Sequence, residues 1–131
     1  MIGFDTNVVV RYLTQDDPQQ SRRATQIFGH QLTTVEPGFL SVVTMVETLW
    51  VLGRAYGFIG QEIAAAVELL LQTDVLVIEN EREVFTAMIA LNLGRGDFAD
   101  ALITALGAKA GCACTLTFDH KAVRLSGFHA A

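Results

Sequence analysis

Cysteine is scarce in this sequence: Cys112 and Cys114 are the only two in 131 residues, and one residue separates them in an apolar run. That spacing suits neither a zinc knuckle nor a disulfide, so both are expected as small buried or half-buried thiols in a reducing compartment. Histidine is equally thin. His30, His120 and His129 are scattered, and His120, although it adjoins Asp119, is expected in solvent. The chain has no Gly-rich phosphate loop and no nucleophile-elbow serine. Its aromatic residues are mostly Phe within apolar stripes, which argues against a platform for stacking bases. Positive charge is also short: 9 Lys and Arg against 14 Asp and Glu give a net charge of −5. A protein that grips nucleic acid by general electrostatics is usually basic. The balance leaves room for an enzyme whose carboxylates are neutralised by divalent cations. No leader and no apolar run of membrane-spanning length is read. The longest stretch, Phe39 to Gly53, is broken by Glu47. A soluble cytoplasmic protein with no membrane partner is expected.

What is present is a core and a set of acids. Hydrophobic residues make up 51% of the chain, enough for one domain spanning 1–131 without disulfides or a structural metal. Met1 to Phe4 reads as a strand ending in Asp5, followed by a helix over Asn7 to Leu13. Asp16-Asp17-Pro18 opens a second helix with an apolar stripe at Ala24, Ile27, Phe28 and Leu32. Phe39 to Val42 reads as a short strand, Val43 to Tyr56 as a helix closed by Gly57, and a fourth helix opens near Gly60. Val75 to Ile78 is expected as a buried strand. Helices marked by Val84, Met88 and Leu91, and by Ala99, Leu102, Ile103, Leu106 and Ala110, follow. Ala113 to Phe118 is a further buried strand ending in Asp119, before one last helical turn, Lys121 to Leu125, and a short tail. Buried strands alternating with amphipathic helices predict an α/β domain with a mainly parallel sheet. Such sheets bind ligands beyond the carboxyl ends of their strands.

That rule selects among the acids. Asp5 and Asp119 end strands, and each reads either as a site residue or as the N-cap of the helix that follows. Glu47 shares a helical face with Val43, Val46, Trp50 and Val51. Its apolar flanks predict a buried carboxylate that needs a metal or a partner such as Arg54, against the alternative of an exposed stripe edge. Asp97 and Asp100 face one side of a helix start, where Asp97 is either cap or ligand. Asp100 continues through Thr104 and Gly107 and is expected to look into an open cleft. Clustered carboxylates repel and raise one another's pKa, and a divalent cation resolves that conflict. All-oxygen ligands select magnesium or manganese over zinc.

Together, Phe4-Asp5-Thr6-Asn7 through Leu13, Glu47, Asp97-Phe98-Ala99-Asp100 through Ile103, and Thr115-Leu116-Thr117-Phe118-Asp119 resemble the PIN-domain family, and within it the VapC-type toxins of type II toxin–antitoxin pairs. The resemblance implies a three-layer α/β/α sandwich and magnesium- or manganese-dependent endoribonuclease activity. It makes Asp5, Glu47, Asp100 and Asp119 the catalytic acids. Asp5 and Asp100 become metal ligands, and Glu47, Asp97 and Asp119 further candidate ligands. Thr6, Asn7 and Thr117 match positions that orient the acids. A homodimer and a cognate antitoxin are implied as protein partners. Arg11, Arg22, Arg23, Arg54 and Arg95 stand as unranked candidates for gripping RNA.

Three rivals fit less well. A phospho-receiver domain needs an acid pair directly after the first strand, and Asp16-Asp17 falls beyond a helix. A haloacid-dehalogenase-type phosphatase needs Asp-x-Asp where this chain has Asp5-Thr6-Asn7. A catalytically silent PIN-like scaffold has no use for so complete an acid set.

Overall fold

Helices begin where a short side chain can take an amide that the first turn leaves without a partner. The computed structural model describes all residues from Met1 to Ala131. Strand β1 (Ile2–Gly3) runs through Asp5 into α1 (Thr6–Thr14). Asp17 caps α2 (Pro18–Gln26), its Oδ1 accepting from the Gln20 amide at 2.9 Å, with Pro18 in the first turn. Ser41 separates β2 (Gly38–Leu40) from α3 (Val42–Tyr56) and caps it through the Thr44 amide at 3.1 Å. Helix α3 stops at Gly57, whose φ of 69° is the left-handed conformation that glycine adopts at little cost. Then come α4 (Gly60–Leu71), β3 (Leu76–Ile78), α5 (Glu81–Asn92), α6 (Phe98–Lys109), β4 (Thr115–Thr117) and β5 (Phe128–Ala130).

All strand pairing is parallel. One sheet has the order β1-β2-β3, with Ile2 opposite Gly38 and Gly38 opposite Leu76; β4 and β5 form a second pair, with Thr115 opposite Phe128. Parallel neighbours need crossover connections, and the helices provide them, giving the α/β/α arrangement. One hydrophobic cluster of 19 buried residues runs from Val9 to Phe128. At its centre Leu40, Met45, Leu52, Leu70 and Leu102 are sealed from solvent. No helix is long and apolar enough to cross a membrane.

Several sequence expectations are corrected. The strands are short and half open rather than buried on both faces: β1 is exposed, Val77 of β3 is exposed, and Leu116 and Phe118 are 65% and 91% exposed. A β-branched run specifies extended backbone, but not how many layers cover it. The second helix leaves α geometry at Gln26 and continues as a π-helical turn, Ile27–Gln31. Within that turn Phe28 is buried and stacks on Tyr12 and Phe4, with ring centroids 4.1 and 5.1 Å apart. The final helical turn is a 3-10 segment, Ala122–Arg124, and the expected tail contains β5. Cys112 is exposed and Cys114 half-buried; both are free thiols.

Candidate active site

The candidate acids fall into two groups. The first forms where β1 runs into α1. Asp5 is exposed, and its Oδ1 accepts from the Thr6 amide at 2.8 Å. A regular N-cap reaches the second or third amide of the helix, so Asp5 caps α1 only partly. The Thr6 hydroxyl is buried and donates to Oε1 of Glu47 in α3. One turn earlier on α3, the Thr44 hydroxyl donates to the Phe4 carbonyl at 3.2 Å. Thr44 and Glu47 lie three residues apart on one helical face, and that face holds the segment carrying Asp5. Thr44 and its cap Ser41 escaped the sequence reading. The available signal was a serine directly before an apolar helical run.

Glu47 is exposed, not buried as its flanks suggested. The neighbours that predicted burial, Val43 and Trp50, are themselves 75% and 61% exposed. The core face of α3 is Met45, Thr48, Leu49 and Leu52. Arg54 does not pair with Glu47; its guanidinium lies 5.6 Å from the centroid of the Trp50 ring. Glu47 is therefore positioned by one hydrogen bond from Thr6, not by desolvation.

The second set is Asp97 and Asp100 at the start of α6 and Asp119 after β4, near enough for the charges of Asp97 and Asp119 to act on Asp100 but not converged into a ready three-acid metal site. Asp97 is the N-cap of α6, its Oδ1 accepting from the Asp100 amide at 2.7 Å. Asp119 follows β4. Its amide donates to the Thr117 hydroxyl at 3.0 Å, and its Oδ1 accepts from the Lys121 amide at 2.8 Å. Two such side-chain turns in succession fix the loop and aim the carboxylate without a full helix cap. Asp100 is half-buried, and burial pushes its carboxyl pKa up; the negative charges of Asp97 and then Asp119 push it further the same way. Farther along its helical face Thr104 lines a cleft, but Asp100 itself is not among the lining residues. The Thr104 hydroxyl donates to the Ser126 carbonyl at 3.4 Å, and a Cβ on Gly107 would lie 3.1 Å from the Thr115 hydroxyl oxygen. The C-terminal segment thus seats on α6 from Thr104 onward and leaves Asp100 at its margin.

Asn7 is exposed on the first turn of α1 and lines a cleft with residues of α2. His30, His120 and His129 are exposed. A wider cleft of about 940 Å³ between α5, α6 and the C-terminal segment contains none of the candidate acids. No three Asp, Glu, His or Cys side chains stand as a group ready to hold a metal ion. The donor chemistry nevertheless fits a hard cation: Asp5, Glu47, Asp97, Asp100 and Asp119 offer only carboxylate oxygens. Magnesium keeps most of its waters and needs only one or two carboxylates, so a closed cage is not required.

The PIN domain family model matches residues 2–127. The chain belongs to the PIN domain family. PIN domains are generally metal-dependent nucleases, and the α/β/α arrangement with its parallel strands is that of the family. No curated protein matches the chain.

The Thr6–Glu47 bond yields a direct test. Thr6→Val keeps the shape of a buried side chain but removes the donor. Cleavage is expected to fall about 10- to 100-fold, the usual cost of losing a group that orients a metal-site acid. Thr6→Ser, which keeps the hydroxyl, should restore it. Equal losses in both variants would make Thr6 a packing residue only.

Proposed function

We propose that this PIN domain is a magnesium- or manganese-dependent endoribonuclease, the cytoplasmic toxin of a type II toxin–antitoxin pair. In this reading residues 1–131 form one domain that works as a homodimer and is silenced by a cognate antitoxin. The observation that carries it is the PIN family match over residues 2–127, in a family whose members are generally metal-dependent nucleases, on a chain that keeps Asp5, Glu47, Asp97, Asp100 and Asp119. The negative charges of Asp97 and Asp119 beside half-buried Asp100 agree with it, because a bound cation would offset them.

Asp5 and Asp100 are the primary ligands in this proposal, and Glu47, Asp97 and Asp119 the remaining candidates. When bound, the metal supplies a water of lowered pKa and positive charge against the scissile phosphate. The chain's own residues do the placing. Thr6 holds Glu47 by its hydroxyl, the Thr117 turn holds Asp119, and Asp97 caps α6 through Oδ1, which leaves Oδ2 as the oxygen it would offer an ion. Asn7 continues the site along α1 as a neutral donor for RNA. A silent PIN-like scaffold is the second reading, favoured by the lack of a ready three-acid group.

One experiment separates them: incubation of the purified chain with RNA in magnesium, in manganese and in EDTA, beside Asp5→Asn. Metal-dependent cutting that the variant loses, with folding intact by circular dichroism, is the expected result. An Asp5→Asn variant as active as the parent would remove Asp5 from the site. No cutting under any condition would favour the scaffold.

A further inference from the structure

The chain is acidic overall, yet three of its 9 Lys and Arg residues line one cleft of about 680 Å³ between α1 and α2. Arg11, Arg22 and Arg23 share its walls with Asn7, Gln19 and Gln20, and no Asp or Glu is among the lining residues. Arg11 is held in place, its Nε donating to Gln20 at 2.8 Å and its Nη1 donating to Tyr56 at 2.9 Å, with Asp16 at 3.3 Å. Arg22 and Arg23 are exposed and have no carboxylate within ion-pair distance; Arg23 donates to Gln31 at 3.2 Å. The cleft starts at Asn7, two residues after Asp5, on the first turn of the helix that Asp5 begins.

We infer that this cleft binds the sugar-phosphate backbone of single-stranded RNA flanking the cleavage point, with Arg22 and Arg23 as phosphate contacts and Arg11 as a fixed anchor. The inference rests on the nuclease reading and ranks the cations within it. Guanidinium groups and side-chain amides are the donors that meet phosphate and ribose oxygens, and such contacts position a strand without reading its sequence. Asp5 directly precedes α1, and Asn7, Val8 and Arg11 of that helix line the cleft, so a strand laid along α1 from Asp5 would enter it. Arg54, stacked on Trp50, is outside the cleft and serves as the comparator.

The test compares the parent with the Arg22→Ala/Arg23→Ala double variant and with Arg54→Ala. Cleavage is read as kcat and KM across a salt series. Binding of a fluorescein-labelled single-stranded oligouridylate in EDTA is read by anisotropy. The double variant should lose about 10-fold in kcat/KM, carried by KM. Its log–log salt slope should flatten by about 0.7 for each phosphate that the missing arginines no longer neutralise, while Arg54→Ala keeps the parent slope. Arg22→Lys/Arg23→Lys, which preserves the charge, should keep most of the slope. A parent that cuts RNA while the double variant matches it in KM and slope overturns the cleft and leaves the nuclease standing. A parent that cuts nothing but binds the oligouridylate through Arg22 and Arg23 removes the nuclease reading and supports the cleft. An oligouridylate bound equally by the parent and the double variant, or by neither, overturns the cleft whatever the cleavage assay gives.

Discussion

Asp100→Asn is expected to leave a folded chain that no longer cuts RNA in magnesium and that melts higher than the parent in EDTA at neutral pH. The activity loss should exceed the 10- to 100-fold typical of removing a group one layer out from a metal, because Asp100 is proposed to touch the ion itself. The stability gain has a separate origin. Burial, with Asp97 and Asp119 beside it, raises the Asp100 pKa in the folded chain. Between the unfolded value, about 4, and the raised folded value, the native state holds more proton than the unfolded state. The stability contributed by this group is therefore fully present below about pH 4 and is lost as pH rises through the folded pKa. Asparagine carries no charge and escapes the loss.

This gives the variant's advantage a pH signature. The melting difference in EDTA should be largest at neutral pH and should shrink as acid protonates Asp100 in the parent. Magnesium should reverse the order, stabilising the parent more than the variant, because ligand binding adds to the stability of whichever form holds the ion. Activity should fall on the acid side, since a protonated carboxylate does not hold metal. Differential scanning fluorimetry of both proteins from pH 4 to pH 8, with EDTA and with magnesium, reads the melting shifts, and RNA cleavage by the parent in magnesium over the same range reads the activity. A variant that melts lower than the parent in EDTA at pH 7 would show that Asp100 serves the fold, not the crowding.

The parts of this architecture that were legible in the sequence are those written in local chemistry. Asp17 before Pro18, the Gly57 stop and the acids after β1 and β4 fix their elements because each acts within a turn of itself. Glu47 shows where local reading stops. Apolar residues surround α3 on nearly every side, so the pattern could not say which face turns inward; the core took Met45, Leu49 and Leu52 and left Val43 and Trp50 outside. What places Glu47 is a hydroxyl 41 residues away in sequence, and no spacing on α3 announces it. Strand β5 was hidden for a related reason. Phe128-His129-Ala130 is too short to show alternation, and its pairing with β4 depends on the turn at Gly127, whose φ is 93°. The grouping of Asp97, Asp100 and Asp119 likewise joins α6 to the end of β4, a meeting of elements that are separate along the chain.

The second large effect is expected from a residue that carries no chemistry. Gly38 is buried in β2 between Ile2 and Leu76, and a Cβ there would run into the Phe4 ring and come within 3.1 Å of the Leu32 side chain. The ring has little freedom to retreat, because it stacks on Phe28, which stacks in turn on Tyr12. The Phe4 backbone is also held from both sides, its amide donating to the Phe39 carbonyl at 3.2 Å and its carbonyl accepting from Thr44 at 3.2 Å. Gly38→Ala should therefore cost about 1–3 kcal/mol, the usual range for overpacking a filled core. It should also lower cleavage at temperatures where the chain is still folded, because displacing Phe4 drags Asp5 with it. Urea melts and kcat/KM on the same preparations measure the two losses. Phe4→Leu makes room for the added methyl, so the Gly38→Ala/Phe4→Leu double variant should be more stable than the sum of the single losses predicts. If Gly38→Ala melts early yet cuts RNA at the parent's rate, the ring has moved alone and Phe4 does not position Asp5.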